Sequence, residues 1–326
     1  MLTNLKKSTG TTVLWSSVFT AMLWVSGCKK EESLPVISST TVRYITHSSA
    51  IVAGTITDEG KWGVLEKGVC WSSTNPEPTL ADSKKNSDSQ TGTGEFQIPL
   101  AFLAPRTTYY IRTFARSDAG MSYGKVQQFT TRDVQYLTDA RDGQQYPVVA
   151  IGTQTWMAAN LNFDSPAGSV SHPDGVQIPG AGRLYTWAAA CQACPSGWRL
   201  PSDQDWKLLE TTLGLDARDA ELTGGRGIMV GQRVKTPDYD LWSGYPGLDK
   251  VLMNQVTNDT GLSIVPGGSY DPQTNAFSAF RTTGFYWSFT AEASDKAWMR
   301  SFTDNSNTAF RGVVKKDTYF SVRCLK

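Results

Sequence analysis

LAPRTTYYIRTFA, from Leu103 to Ala115, carries Leu103, Pro105, Thr107 and Tyr109 at every second position and continues in phase through Ile111, Thr113 and Ala115. A period of two is that of a strand with one face buried, so Ile111 and Ala115 are expected in a core, with Tyr109 at a tyrosine corner. On either side, Ala50 to Ile56, Lys67 to Trp71, Gly94 to Leu100 and Tyr123 to Thr130 are further β-rich runs separated by turn residues. Thr108 to Ala115 is the strand within the opening stretch itself. This spacing predicts an all-β sandwich over residues 37–132.

The region is similar to a fibronectin type III module of the variety whose middle reads KGVCWSSTNPEPT (Lys67 to Thr79) and whose end reads RSDAGMSYGKVQQFTT (Arg116 to Thr131). It departs from that pattern at the second strand, where Ile51 and Val52 replace the usual tryptophan, leaving Trp62 and Trp71 as substitutes. Trp62, beside Gly60 and Gly63, reads as a cap on the sandwich in preference to a sugar platform. Cys70, on a central strand, reads as a buried free thiol acting as a small hydrophobe.

From Asp133 the texture changes. DARDGQQYPVVAIGTQTWMAANLNF (Asp139 to Phe163) contains an apolar run, Tyr146 to Ile151, that turns at Gly152 and Thr153 into a second run ending near Trp156, a hairpin pattern. GRLYTWAAACQACPSGWRLPSDQDWKLLE (Gly182 to Glu210) has helix-forming composition over Leu184 to Ala190. Its Ser202 and Asp205 stand at capping-box spacing before a helix expected to bury Trp206 and Leu209. GFYWSFT, AWMRSF, AFRGVV and FSVRCL read as short strands that end at Cys324.

IGTQTWMAANLN, CPSGWRLPS followed by Trp206, LSIVPGGSY, YWS and SVRC occur in the order of the Fibrobacter succinogenes major paralogous domain, which residues 133–326 resemble. The resemblance implies an α+β C-type-lectin-like fold, with two helices flanking a small antiparallel sheet and a long loop region on one side. It also implies a disulfide between Cys194 and Cys324; Cys191 with Cys324, or no bridge, are the alternatives. Closing a loop of about 130 residues is worth roughly 4–5 kcal/mol in the chain-entropy model.

Chemistry is sparse. The chain has 326 residues and two histidines, and His172 lies in the turn sequence Ser171-His172-Pro173-Asp174-Gly175. HExxH, GxSxG and P-loop motifs are absent, and Cys191 and Cys194 have neither the βαβ pattern of a redox site nor a second pair for zinc. The Glu-Pro-Asn and Trp-Asn-Asp motifs of calcium-dependent lectins are missing too, so neither metal nor cofactor is expected. Asp238, Asp240, Asp249, Asp259 and Asp271 read as solvated loop charges and not as a hydrolytic pair. Formylglycine-generating enzymes share the broad lectin-like fold, but their paired catalytic cysteines have no clear match. The chain is therefore expected to be non-catalytic.

The formal charge is +1, which leaves no electrostatic footprint for nucleic acid. Recognition should lean on aromatic and neutral polar groups. Residues 224–285, rich in Gly, Asn, Asp and aromatics, are the expected ligand surface, with Tyr239, Trp242, Tyr245 and Tyr270 as binding candidates. At least half the aromatic rings there, which include Phe277 and Phe280, are expected to be buried. Trp156, Trp187, Trp198, Trp206, Trp287 and Trp298 are expected in the core.

At the N terminus, Lys6 and Lys7 precede a mostly apolar run from Thr11 to Val25, too short for a comfortable transmembrane helix. VSGC (Val25 to Cys28) resembles a lipobox, which implies cleavage after a signal peptide of residues 1–27 and lipidation of Cys28. Residues 28–36 then form a charged tether, in which Lys29-Lys30-Glu31-Glu32-Ser33 resembles the surface-export tag of Bacteroidetes lipoproteins. Loss of Lys6 and Lys7 takes the formal charge to −1. The expected molecule is an outer-membrane lipoprotein, held to the membrane through the lipid on Cys28 and facing the exterior. Its partner is a glycan or, alternatively, an envelope protein.

Overall fold

Eight strands build the N-terminal layer pair: β1 Val36–Arg43, β2 Ala50–Asp58, β3 Glu66–Ser72, β4 Ser83–Asn86, β5 Gly94–Leu100, β6 Thr108–Ser117, β7 Gly120–Tyr123 and β8 Gln127–Thr130. One sheet has the order β1-β2-β5; the other runs β4-β3-β6-β7, with β8 also on β6. The computed structural model describes residues 33–87, 91–173, 178–238, 240–242 and 255–326. Cys28 and the signal segment lie outside the described residues.

Val52, Val69, Ile98, Ile111 and Ala115 meet between the two sheets, as the alternation in β6 requires. Tyr109 closes one end. Its ring stacks on Phe129 at 5.7 Å, and its hydroxyl accepts the Ala104 N–H at 3.0 Å, which is the corner anticipated from its spacing. Trp71 packs against this core, whereas Trp62 is 49% exposed with the Lys61 ammonium 4.5 Å from its ring. The ring that replaces the missing tryptophan is therefore Trp71; Trp62 does not cap the sandwich. Cys70 is buried and free, and burial pushes its thiol up to about 11.

Tyr123 to Thr130, read as one strand, is two, interrupted at Gly124. A Cβ there would lie 2.4 Å from Thr113 Oγ1 and 2.6 Å from Thr40 Oγ1. The chain crosses the Thr40–Thr113 hydroxyl pair so closely that only glycine fits.

The C-terminal region contains β9 Gln135–Thr138, β10 Gln145–Ile151, β11 Gln154–Met157, β12 Ser169–Val170, β13 Leu184–Tyr185, β14 Gly224–Arg226, β15 Ser269–Asp271, β16 Ala276–Ser278, β17 Thr283–Ala291, β18 Lys296–Thr303, β19 Ala309–Lys315 and β20 Phe320–Ser321. Its helices are α1 Trp187–Ala193, α2 Asp203–Thr212 and α3 Val230–Val234. A seven-stranded sheet has the order β12-β13-β20-β17-β18-β19-β14, a three-stranded one β11-β10-β9, and β15-β16 form a hairpin. α1 and α2 both pack on β17. Among the described residues no helix is long and apolar enough to cross a membrane.

β10 and β11 form the expected hairpin, turning at Gly152 with φ +60°. The helix read over Leu184 to Ala190 starts later. Leu184 and Tyr185 pair with Ser321 and Phe320, and Thr186 then caps α1 by accepting the Ala189 N–H. Tertiary pairing overrides local propensity there. The capping box forms as read: Ser202 Oγ accepts from Asp205 N at 3.1 Å, while Asp205 Oδ2 accepts from Ser202 N at 2.7 Å.

α2 buries Trp206 and Leu209, and with them two carboxylates. Arg300 donates to Glu210 at 2.6 Å and to Asp203 at 2.8 Å; Arg311 also reaches Asp203 and Arg226 reaches Glu210, each at 2.8 Å. Burial works to raise the Asp203 pKa, but the Arg311 and Arg300 guanidiniums overcome it and hold the carboxyl far below the usual range. Trp156, Trp206 and Trp287 are fully buried as expected, while Trp187, Trp198 and Trp298 are only partly buried. Two of these serve as platforms for cations, Arg311 lying 3.6 Å from the Trp298 ring and Lys316 4.3 Å from Trp187. Cys194 and Cys324 are joined by a disulfide, and Cys191 is free and partly buried.

Sandwich and head keep separate cores, yet residues 33–326 form one compact unit. Lys85 pairs with Asp238 at 2.9 Å, Asn258 Nδ2 donates to Ser49 Oγ at 3.3 Å, and Gly261 lies so close to His47 that a Cβ would sit 3.1 Å from its Nδ1.

Candidate functional site

The head opens a groove of about 820 Å3 where the start of β10 meets Ala159, Asn160 and Asn162 and residues 171–173 and 178–182. Its polar wall comes from the blocks GQQYP and AANLN. Gln144 and Asn162 join their amides, Asn162 Nδ2 donating to Gln144 Oε1 at 2.8 Å, and the Tyr146 hydroxyl accepts the Asn162 N–H at 3.1 Å. Gln145 and Asn162 are exposed, so amide capacity remains free to face a ligand. The described residues that line the groove include no Asp, Glu, Lys or Arg. Burial raises the Tyr146 phenol to about 12, so it is neutral, while the Asp142 carboxylate next to the wall accepts from Gln144 Nε2 at 2.6 Å.

Asn160 forms the floor and is committed to the protein. Its Nδ2 donates to Ala181 O and Ser321 Oγ, and its Oδ1 accepts from Arg323 Nε at 2.6 Å. Arg323 in turn donates to the carbonyls of Met157, Leu262 and Ser263. One buried guanidinium thus ties the groove floor to the C-terminal segment.

On the groove's other side His172 donates from Nε2 to Gly267 O at 2.7 Å and leads an aromatic ladder. Its ring lies 5.3 Å from Phe280 and 6.1 Å from Phe277; Phe277 lies 4.9 Å from Tyr270, and Tyr270 5.2 Å from Tyr319. All five rings are partly buried, at spacings typical of interacting aromatics. Of the five, His172 is the ring that lines the groove, and amides with one aromatic ring suit a neutral, hydroxyl-rich ligand.

Of the four aromatic candidates, Tyr270 belongs to this ladder. Trp242 does not: it is wholly buried in the head core, donating its indole N–H to Thr236 O at 3.0 Å, and presents no face to a ligand. Tyr239 and Tyr245 lie outside the described residues. Sequence reasoning missed Gln144, Asn162 and His172. The density of amides in GQQYP and AANLN was the signal for the first two, whereas His172 was read only as a turn residue. Of the weighed carboxylates, Asp238 and Asp240 pair with Lys85, Asp259 pairs with Arg233, Asp271 accepts from the Gln273 N–H, and Asp249 lies outside the described residues. Among the described residues no three His, Cys, Asp or Glu side chains cluster to hold a metal ion.

The family model described as Fibrobacter succinogenes major domain matches residues 149–326. No curated protein matches the chain. Solved structures similar to it include the sensor domain of the anti-sigma factor RsgI4 of Pseudobacteroides cellulosolvens, at 20% identity, covering 31% of this chain and 96% of that one with a TM-score of 0.25. Another is a fibronectin type III domain derived from the human KIAA0970 protein, at 16% identity, covering 31% and 75% with a TM-score of 0.22.

Proposed function

The chain belongs to the Fibrobacter succinogenes major domain family, and from that premise we propose that it is a non-catalytic binding protein whose head takes neutral glycan in the amide-lined groove. The observation that carries this reading is the Gln144–Asn162 amide pair lining the same groove as the His172 ring, which Phe280 and Phe277 support from behind. Sugar rings offer hydroxyls to amides and C–H faces to aromatic rings. No cofactor or metal is required. Two helices packed on one sheet, with a disulfide from the end of α1 to the C terminus, support a C-type-lectin-like head on a fibronectin type III-like stalk. The lipobox-like VSGC supports an outer-membrane lipoprotein, anchored through Cys28 and facing outward.

The test is calorimetric titration of residues 33–326 with neutral oligosaccharides. Asn162→Ala and His172→Ala should each weaken binding about ten-fold, equivalent to roughly 1.4 kcal/mol. Unchanged affinity in both variants would remove the groove from consideration.

A second reading, contact with another envelope protein, is favoured by the apolar side chains around β14, an edge strand of the large sheet. Leu222, Ile228, Met229 and Phe310 there are 57%, 73%, 54% and 43% exposed. Such a patch suits protein contact. Ile228→Asp should abolish that contact and leave glycan titration unaffected.

A further inference from the structure

The amide groove does not end at its own rim. Ala159, Pro179 and Gly180 line it and also line a second cavity, of about 250 Å3, between head and sandwich. The two share a wall and differ in chemistry. Where the groove presents amides, the junction cavity presents Phe102 and Leu103 from the sandwich against Pro147, Ala158 and Val265 from the head.

Its polar groups are spoken for or uncharged. Asn258 Oδ1 accepts the Ser263 N–H at 3.0 Å, and Asn258 Nδ2 donates to Ser263 Oγ at 2.9 Å. Burial lowers the His47 pKa to about 4, so its imidazole is neutral at ordinary pH. Phe102 is the unusual member. It is 47% exposed and sits at φ +55°, a left-handed conformation that a bulky side chain adopts only at a cost. A strained aromatic residue held half-bare at a cavity wall has contact area left for a guest.

We propose that the junction cavity is a subsite for an uncharged apolar substituent, an aryl ring or short acyl group, carried by the same glycan whose hydroxyls lie along the amide groove. The proposal rests on the glycan reading of that groove. The volume is just below the usual range of ligand pockets, roughly 300–1,000 Å3, and so suits one ring or short chain. On this assignment the sandwich is part of the binding site, since Phe102 and Leu103 form the wall that the head lacks.

The test compares methyl and 4-nitrophenyl glycosides of glucose, galactose and mannose, titrated against residues 33–326. For the sugar that binds, the 4-nitrophenyl glycoside should bind at least ten-fold more tightly. Phe102→Gly, which relieves the backbone strain, should erase that advantage and leave the methyl glycoside unchanged. The nitrophenyl form alone should shift the backbone amides of Phe102 and Leu103 in NMR spectra. Equal affinity for both forms, or an advantage that survives Phe102→Gly, overturns the subsite and spares the glycan reading. Absence of binding by any glycoside or oligosaccharide overturns both.

Discussion

Arg323, wholly buried, donates from Nε to Oδ1 of Asn160 at 2.6 Å, joining the last residues of the chain to the floor of the groove. Its other acceptors are the carbonyls of Met157, Leu262 and Ser263. The planar fork of a guanidinium reaches these diverging acceptors at once, which an ammonium cannot.

Replacement of Arg323 by Met should therefore cost at least about 3 kcal/mol, because several buried acceptors lose their donor together. Arg323→Lys should recover less than half of that. Urea denaturation of residues 33–326 measures both, and a Met variant as stable as the parent would show that the network does not hold the floor.

Acid should weaken the unit in two separate steps. Burial lowers His47 from 6.5 to about 4, so between those values the unfolded chain binds more protons than the folded one. The His47 contribution is full above 6.5, falls by up to about 1.4 kcal/mol per pH unit through the window, and levels off below its lower end. Asp203 is a depressed carboxyl, so its contribution is full above the unfolded value of 3.8 and is lost only as pH falls below it. His47→Gln should flatten the first limb of a Tm-against-pH curve and leave the second.

Trp242→Ala should behave as a core truncation and not as the loss of a ligand contact. Removing this fully buried ring should cost about 3–5 kcal/mol. Affinity measured on the fraction that remains folded should be unchanged. A specific loss of glycan binding at full stability would return Trp242 to the site.

The Cys194–Cys324 disulfide closes a loop with a sequence separation of 130. The double replacement Cys194→Ser with Cys324→Ser should lower stability by about 4–5 kcal/mol in the chain-entropy limit. Cys191→Ser, which leaves the bridge intact, should change it by less than about 1 kcal/mol. Thermal unfolding of the two variants side by side distinguishes them.

Local chemistry was legible wherever one residue's neighbours in sequence are also its neighbours in space. The period-two run through Ile111 and Ala115, the corner at Tyr109, the turn at Gly152 and the capping box of Ser202 and Asp205 follow from strand periodicity and short-range hydrogen bonding. Burial of Trp242, the start of α1 after Tyr185 and the partial exposure of Trp298 were decided by residues far along the chain.

Sequence by itself determined the sandwich, the hairpin and the second helix, since each is a pattern repeated over a few residues. Only the tertiary structure decided which polar groups line the groove. Gln144 and Asn162 are 18 residues apart, His172 reaches Gly267 across 95, and Arg323 meets Asn160 across 163. Contacts of that separation depend on how the sheets and loops close over one another, and no local propensity encodes that closure.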